Sequence, residues 1–366
     1  YTHSDKVVLQ ALSAGNSVVL AYINKYVNGQ AVPDVSGIML TVSTANGLGI
    51  FGSVLQKKLL LDANALANAT IISPLGNIDD KTHAILQTLY LSGVLDAVCS
   101  LLEFAPPAFL DALYDDAFIP CYGTLPGMWA LVPPDMYKDA KKASFGAKVN
   151  DPAYADFFYK LDTYNDLQLN DHEILQAAAA KVKMGVITGY GLPLWPIGKN
   201  QGLQGDGVGE IVYSSFGATA SPLGQTLGSF YKQKVNDGYN HISPDNEIDA
   251  STAALPNNTW FIKGAFHGPN CEWSGLFAWW YSTDNPTVFT SERWPQYLYA
   301  YGTHDMPDHY YPDSVYPLQT PIYEGSEKIA ALNSLWGNIL RFWNKLLYFL
   351  TGGTAGIFNG IAGLFK

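Results

Sequence analysis

Positive charge is scarce in this chain. Lys and Arg number 21 against 32 Asp and Glu, giving a formal net charge of −11, and charged residues of both signs make up only 14% of the 366 positions. The lysines are scattered and form no basic stripe, which argues against a nucleic-acid partner. Cysteine is equally sparse. An odd set of three, Cys99, Cys121 and Cys271, allows at most one internal disulfide, with Cys99 and Cys121 the local choice. Their spacing suggests neither sulfur chemistry nor a zinc site, and no cofactor signature is present. Two His in His304-Asp305-Met306-Pro307-Asp308-His309 have metal-binding residue types, but the proline and aromatic surroundings read as an ordinary loop. Also missing is an uninterrupted apolar run of about 20 residues, the length a membrane span needs. The apolar stretch Leu332 to Leu350 is broken by Asn338, Arg341, Asn344 and Lys345. Its helical spacing suits an amphipathic helix over 332–350, lying in a membrane surface with Trp336 and Trp343 at headgroup level, or buried against a partner.

What the chain does have is hydrophobic and aromatic mass, 48% and 13% of its residues. That suffices for a large core and more than one structural unit. Low charge, many aromatics and the sequons Asn68-Ala69-Thr70 and Asn257-Asn258-Thr259 suit a secreted or extracellular protein. No signal peptide is read among these residues, and a chain that begins mid-fold is expected to have lost it upstream.

The most informative segment is Lys6 to Ile23. An apolar β-type run, Val7 to Leu9, leads to Ser13 between small residues, and a helical run begins at Ser17. A sharp strand-to-helix turn of this kind lifts a serine hydroxyl above a sheet and turns the first free N–H groups of the helix towards it. Ala11-Leu12-Ser13-Ala14-Gly15 departs from Gly-x-Ser-x-Gly only by alanine in the first position. Ala14 N–H is then the candidate oxyanion donor, and Gly15 is expected to let the turn close.

A nucleophilic serine needs a base and a group that orients the base. Trp260 to Gly264 reads as a buried strand, followed by His267 in a loop. Two acid loops lie upstream. Ser243-Pro244-Asp245-Asn246-Glu247-Ile248-Asp249-Ala250-Ser251 precedes the histidine closely, while Gly205-Asp206-Gly207-Val208 follows the apolar strand Met184 to Thr188. On the residues alone both stay open, Asp206 with the cleaner Asp-Gly turn. Either also reads as a plain turn aspartate.

These segments resemble the secreted lipase-like α/β-hydrolases, a group that includes bacterial lipases and lecithin:cholesterol acyltransferase relatives. The elbow and its helix, the acid loop around Asp245, and His267 closing a strand carry the likeness. The resemblance implies a preference for Asp245 over its rival Asp206, through its lipase-like spacing to His267 and the serine after it. Gly123-Thr124-Leu125-Pro126-Gly127-Met128-Trp129-Ala130-Leu131-Val132-Pro133 is similar to a cap segment of some relatives. The resemblance implies an α/β fold comprising the C-terminal half of an α/β-hydrolase sheet, with a large helical cap insertion. On that plan residues 1–56 are core with the elbow, 57–182 the cap or lid, 183–290 core with the acid and histidine loops, and 291–366 a tail. Leu91, Val94, Leu95, Val98 and Leu102 would line the cap. Because the elbow strand starts at residue 7, a second polypeptide is expected to supply the first strands and a second oxyanion donor.

The resemblance implies hydrolysis or transfer of an acyl ester through an acyl-serine, with Ser13 as nucleophile, His267 as base and Asp245 orienting it, no cofactor, and an ester or lipid substrate. It also makes Asp249 a faint candidate for a structural calcium. The competing expectation is a hydrolase-derived binding subunit, in which Ser13, Asp245 and His267 would not converge.

Overall fold

In a computed structural model of the chain, the described residues are 7–31, 34–56, 123–193, 204–267 and 321–324, with 112, 115–116 and 119–120. The cysteines, the segment 84–102, the His304 to His309 loop and the apolar run 332–350 lie outside them.

The centre is a parallel sheet of five strands: β1 (Val7–Leu12), β2 (Val35–Thr41), β3 (Lys183–Tyr190), β8 (Thr259–Lys263) and β9 (Ile322–Glu324), adjacent in that order. The short strands β4 (Leu192–Pro193) and β5 (Gln204–Gly205) pair with each other, as do β6 (Thr219–Ala220) and β7 (Ile248–Asp249). The chain is therefore of mixed α/β type with a parallel core. Strands buried on both faces of such a sheet read as continuous apolar runs. In β2 and β8 side chains from both pleats are buried: Ile38 and Leu40 with Met39, Trp260 and Ile262 with Phe261. In β1 only Ala11 is fully buried and Val7 is 38% exposed, as befits a strand with β2 on one side and no partner among the described residues on the other.

One helical layer consists of α1 (Gly15–Tyr22), the wide turn Ile23–Val27 and α6 (Asp171–Ala179). Leu20, Ile23, Val27, Ile174, Leu175 and Ala178 pack onto Ile38, Leu40, Met184 and Val186 of the sheet. The turn ends against Lys181, whose Nζ donates to the carbonyls of Val27, Asn28 and Gln30 at 3.2, 2.8 and 2.9 Å. A cation at a helix C-terminus both satisfies free carbonyls and complements the dipole.

A second apolar body gathers α2 (Gly49–Leu55), α3 (Pro126–Trp129), α4 (Pro134–Phe145) and α5 (Ala155–Leu169). Trp129 is its anchor, with Nε1–H donating to Gly123 O at 2.8 Å and Tyr137 set edge-on to its ring at 5.7 Å. Pro126 and Pro134 open their helices, where the missing N–H costs nothing. Gln168 ties this body to the segment after β2: Nε2 donates to Ala45 O at 3.0 Å and Val132 O at 3.2 Å. Among the described residues no helix is long and apolar enough to cross a membrane.

Candidate active site

Both β1 and β2 end in backbone that ordinary residues avoid. Ser13 has φ +50° and Val42 φ +38°. A left-handed β-branched residue is a true outlier, and such strain persists only where surrounding contacts over-determine it. Those contacts are present. Ser13 N–H donates to Thr41 O at 3.1 Å, and Val42 N–H to Ile187 O at 2.7 Å. Asn16, wholly buried, spans the two strand ends: its Nδ2 donates to Ser13 O at 2.8 Å and to Thr41 O at 3.0 Å. The left-handed bend is thus made by Ser13 itself. Gly15 was expected to let the turn close, yet a Cβ there would meet nothing within 4 Å, so the turn does not depend on glycine at that position.

Ala14 caps the start of α1, and the N–H groups of Asn16 and Ser17 are taken by Ser13 O and Ala14 O. Ala14 N–H belongs to the donors that a helix start leaves outside its ladder, at the positive end of the dipole. Replacing Asn16 by Ala is expected to destabilise the protein by about 1–2 kcal/mol. Urea titration with unchanged slope would register it as a lower midpoint.

Across the sheet's carboxyl end, β8 leads through Gly264 (φ +73°) to His267. Its Nε2 lies 2.7 Å from Ser13 Oγ, and its Nδ1 lies 2.8 Å from Asp206 Oδ2. The pairing is doubled by the backbone, His267 N–H donating to Asp206 O at 3.0 Å. Asp206 is fully buried. Its Oδ1 accepts from Val208 N–H at 3.0 Å and Gly209 N–H at 2.7 Å, so one oxygen is fixed by its own turn and the other presented to the imidazole. Gly189 in β3 makes room: a Cβ there would strike Ala265 O and the Asp206 side chain.

The sequence preference for Asp245 as the acid is corrected by this geometry. Asp245 Oδ2 accepts from Tyr190 OH at 2.9 Å and from Lys263 Nζ at 2.8 Å, and Lys263 also holds Glu247 Oε1 at 2.7 Å. Burial works against ionisation of Asp245, but the hydrogen bonds from Lys263, Ser243 and Tyr190 outweigh it and keep its carboxyl below the usual range. Lys263, at the end of β8, is the cation that captures it. The asparagine after it takes φ +57°, the left-handed turn its type tolerates.

No family model, curated protein or solved structure matches this chain. Serine hydroxyl, imidazole and buried carboxyl in one hydrogen-bonded row can move a proton from oxygen to nitrogen while the carboxyl holds the ring.

Asp249 accepts three hydrogen bonds within the protein, Oδ2 taking Tyr231 OH at 2.8 Å and Lys234 N–H at 3.1 Å, Oδ1 taking Ser251 N–H at 2.9 Å. Among the described residues no cluster of three or more His, Cys, Asp and Glu is placed to hold a metal. Sequence reasoning passed over Asn16 and Glu210. A polar residue three positions after Ser13 was a signal for Asn16; Glu210 had only its place four residues after Asp206.

Proposed function

We propose that this chain is a serine hydrolase of the α/β-hydrolase type, cleaving or transferring acyl esters through an acyl-serine. The observation that carries the reading is the row Ser13 Oγ–His267–Asp206, with heavy-atom separations of 2.7 and 2.8 Å at the carboxyl end of a parallel sheet. His267 Nε2 takes the Ser13 proton as Oγ bonds to the acyl carbonyl carbon. Ala14 N–H stabilises the oxyanion. Collapse of the tetrahedral intermediate breaks the ester C–O bond, and His267 returns the proton to the departing alcohol. Water or another alcohol, deprotonated by His267, then attacks the acyl-serine and frees Ser13. Asp206 holds the imidazole tautomer and stabilises the imidazolium at each transfer.

A strand laid along the outer edge of β1, from elsewhere in the polypeptide or from a partner, would bring a second N–H donor beside Ser13. As the acyl pocket we assign a cavity of about 400 Å³ beside α1, lined mainly by Val18, Ala21, Trp129 and Leu161 with Ser17, Tyr164 and Lys160; Ser13 and His267 do not line it. Ser17, Val18 and Ala21 stand on α1 one to two turns beyond the serine, about 6–12 Å along the helix.

Hydrolysis of a p-nitrophenyl ester series tests the reading. kcat/KM is expected to rise with acyl length, by up to about fourfold per methylene buried. Ala21→Trp, which fills the cavity, should flatten that rise while leaving acetate turnover unchanged. A protein that turns over no ester, and does not react at Ser13, leaves the geometry as a scaffold for binding.

A further inference from the structure

Glu210 is a fully buried carboxyl outside the row of Ser13, His267 and Asp206, only 4% exposed. Gly205 and Glu210 form an antiparallel bridge that closes the turn carrying Asp206. Its own carbonyl starts α7 (Ile211–Ser214), accepting Tyr213 N–H and Ser214 N–H at 3.1 and 2.9 Å. The side chain goes elsewhere. Oε2 accepts from Gly49 N–H at 3.1 Å, at the beginning of α2.

Contact between these two segments is close. A Cβ on Gly209 would lie 3.3 Å from Leu48 Cδ2, and a Cβ on Gly49 would collide with Glu210 Oε1. The segment before Gly49 reaches the nucleophile, with Thr44 N–H donating to Ser13 O at 3.4 Å. One carboxyl therefore joins the Asp206 turn to the backbone that supports Ser13.

We propose that Glu210 is a positioning residue that holds Asp206 and Ser13 in line about His267, and that its gain or loss of a proton loosens or tightens that alignment. The proposal rests on the reading of Ser13, His267 and Asp206 as catalytic groups. Its physics follows from hydrogen bonding: a carboxylate grips an N–H about twice as strongly as a neutral acid does.

Burial raises the Glu210 carboxyl to about 7; its own N–H and Gly49 N–H oppose the rise, and Asp206 and Asp135 add to it. Those acids face it from its own turn and from the first turn of α4, Tyr213 from α7, and α2 carries no charge. The folded chain consequently binds a proton more readily here than the unfolded chain, whose glutamate titrates near 4.5. Stability from this group is full below about 4.5 and is lost as pH rises towards about 7. Tight alignment and maximal stability lie on opposite sides of one titration.

The test follows the downfield proton NMR signal of His267 Nδ1–H from pH 5 to 9, together with the rate of fluorophosphonate labelling at Ser13. Wild type, Glu210→Gln and Gly49→Ala are compared, and Asp206→Asn assigns the signal. In wild type the signal is expected to shift in two steps and the labelling rate to fall on the acid side with two protons. In Glu210→Gln each should show one. Gly49→Ala keeps the carboxyl but displaces it, and should label about tenfold more slowly at pH 8 even if the glutamine variant does not fold. Identical profiles in wild type and Glu210→Gln, or an unchanged rate in Gly49→Ala, would overturn the proposal. Absence of labelling at Ser13 in every form, with a signal that still follows Glu210, would sink the hydrolase reading and leave the positioning link standing.

Discussion

Replacing Asp206 by Asn is expected to lower kcat about 10⁴-fold, because an amide leaves the imidazole in the wrong tautomer and cannot stabilise the imidazolium. Folding should survive, since the amide oxygen can still accept from Val208 and Gly209 N–H as Oδ1 now does. Asp245→Asn should do the reverse. It breaks the contact with Lys263 at 2.8 Å and leaves the row at His267 untouched. The rate is expected to stay within about tenfold of wild type while stability drops by about 1–2 kcal/mol, the part-exposed ion pair being discounted for solvent screening. Because the Asp245 carboxyl is held low in the fold, its stabilisation is complete above its ordinary value of 3.8 and disappears as pH falls below it. The two substitutions thus separate by assay, one seen in kcat and the other in acid unfolding. A 10⁴-fold loss in Asp245→Asn with near-normal Asp206→Asn would reverse the assignment.

Ser13→Ala and His267→Ala should each lower ester turnover by about 10⁶-fold, and the double variant should be no worse than either alone. Groups that act as one proton-transfer unit lose everything at the first deletion. Additive losses would instead mean that Ser13 and His267 serve separate steps, despite the 2.7 Å between them. kcat/KM for a single p-nitrophenyl ester across the four proteins decides between these outcomes.

Much of this site could be read in the sequence because its parts are local. A β-type run into Ser13, a helix after it, and a strand before His267 are each set by patterns within about ten residues. The rows run as Val7–Leu12, Gly15–Tyr22 and Thr259–Lys263. Which aspartate meets His267 is a different kind of question. Asp206 and Asp245 both sit in turns with left-handed neighbours, Gly207 and Asn246, so local chemistry hardly separates them. The decision lies in long-range partners: Lys263 and Tyr190 take Asp245, and Gly189 clears the space for Asp206. A lysine at the end of β8 could have warned that a nearby carboxylate would be claimed. Glu210 was illegible for a similar reason, since nothing in its neighbours announces the distant N–H of Gly49.

The same limit applies to the helices between β2 and β3. Their local sequence does not say which surface each one covers. Ile174, Leu175 and Ala178 of α6 face the sheet, whereas Phe158 and Leu161 of α5 join Trp129 and Phe145 in the second apolar body. α5 and α6 are separated in sequence by Asn170 alone.

Fluorophosphonate labelling of the native protein at pH 8, with peptide mapping and beside Ser13→Ala, tests the central claim most directly. The account predicts one covalent adduct, on the peptide containing Ser13, absent in Ser13→Ala and formed far more slowly in Asp206→Asn. A folded wild-type protein that takes no adduct, or one whose adduct maps to another residue, would contradict it.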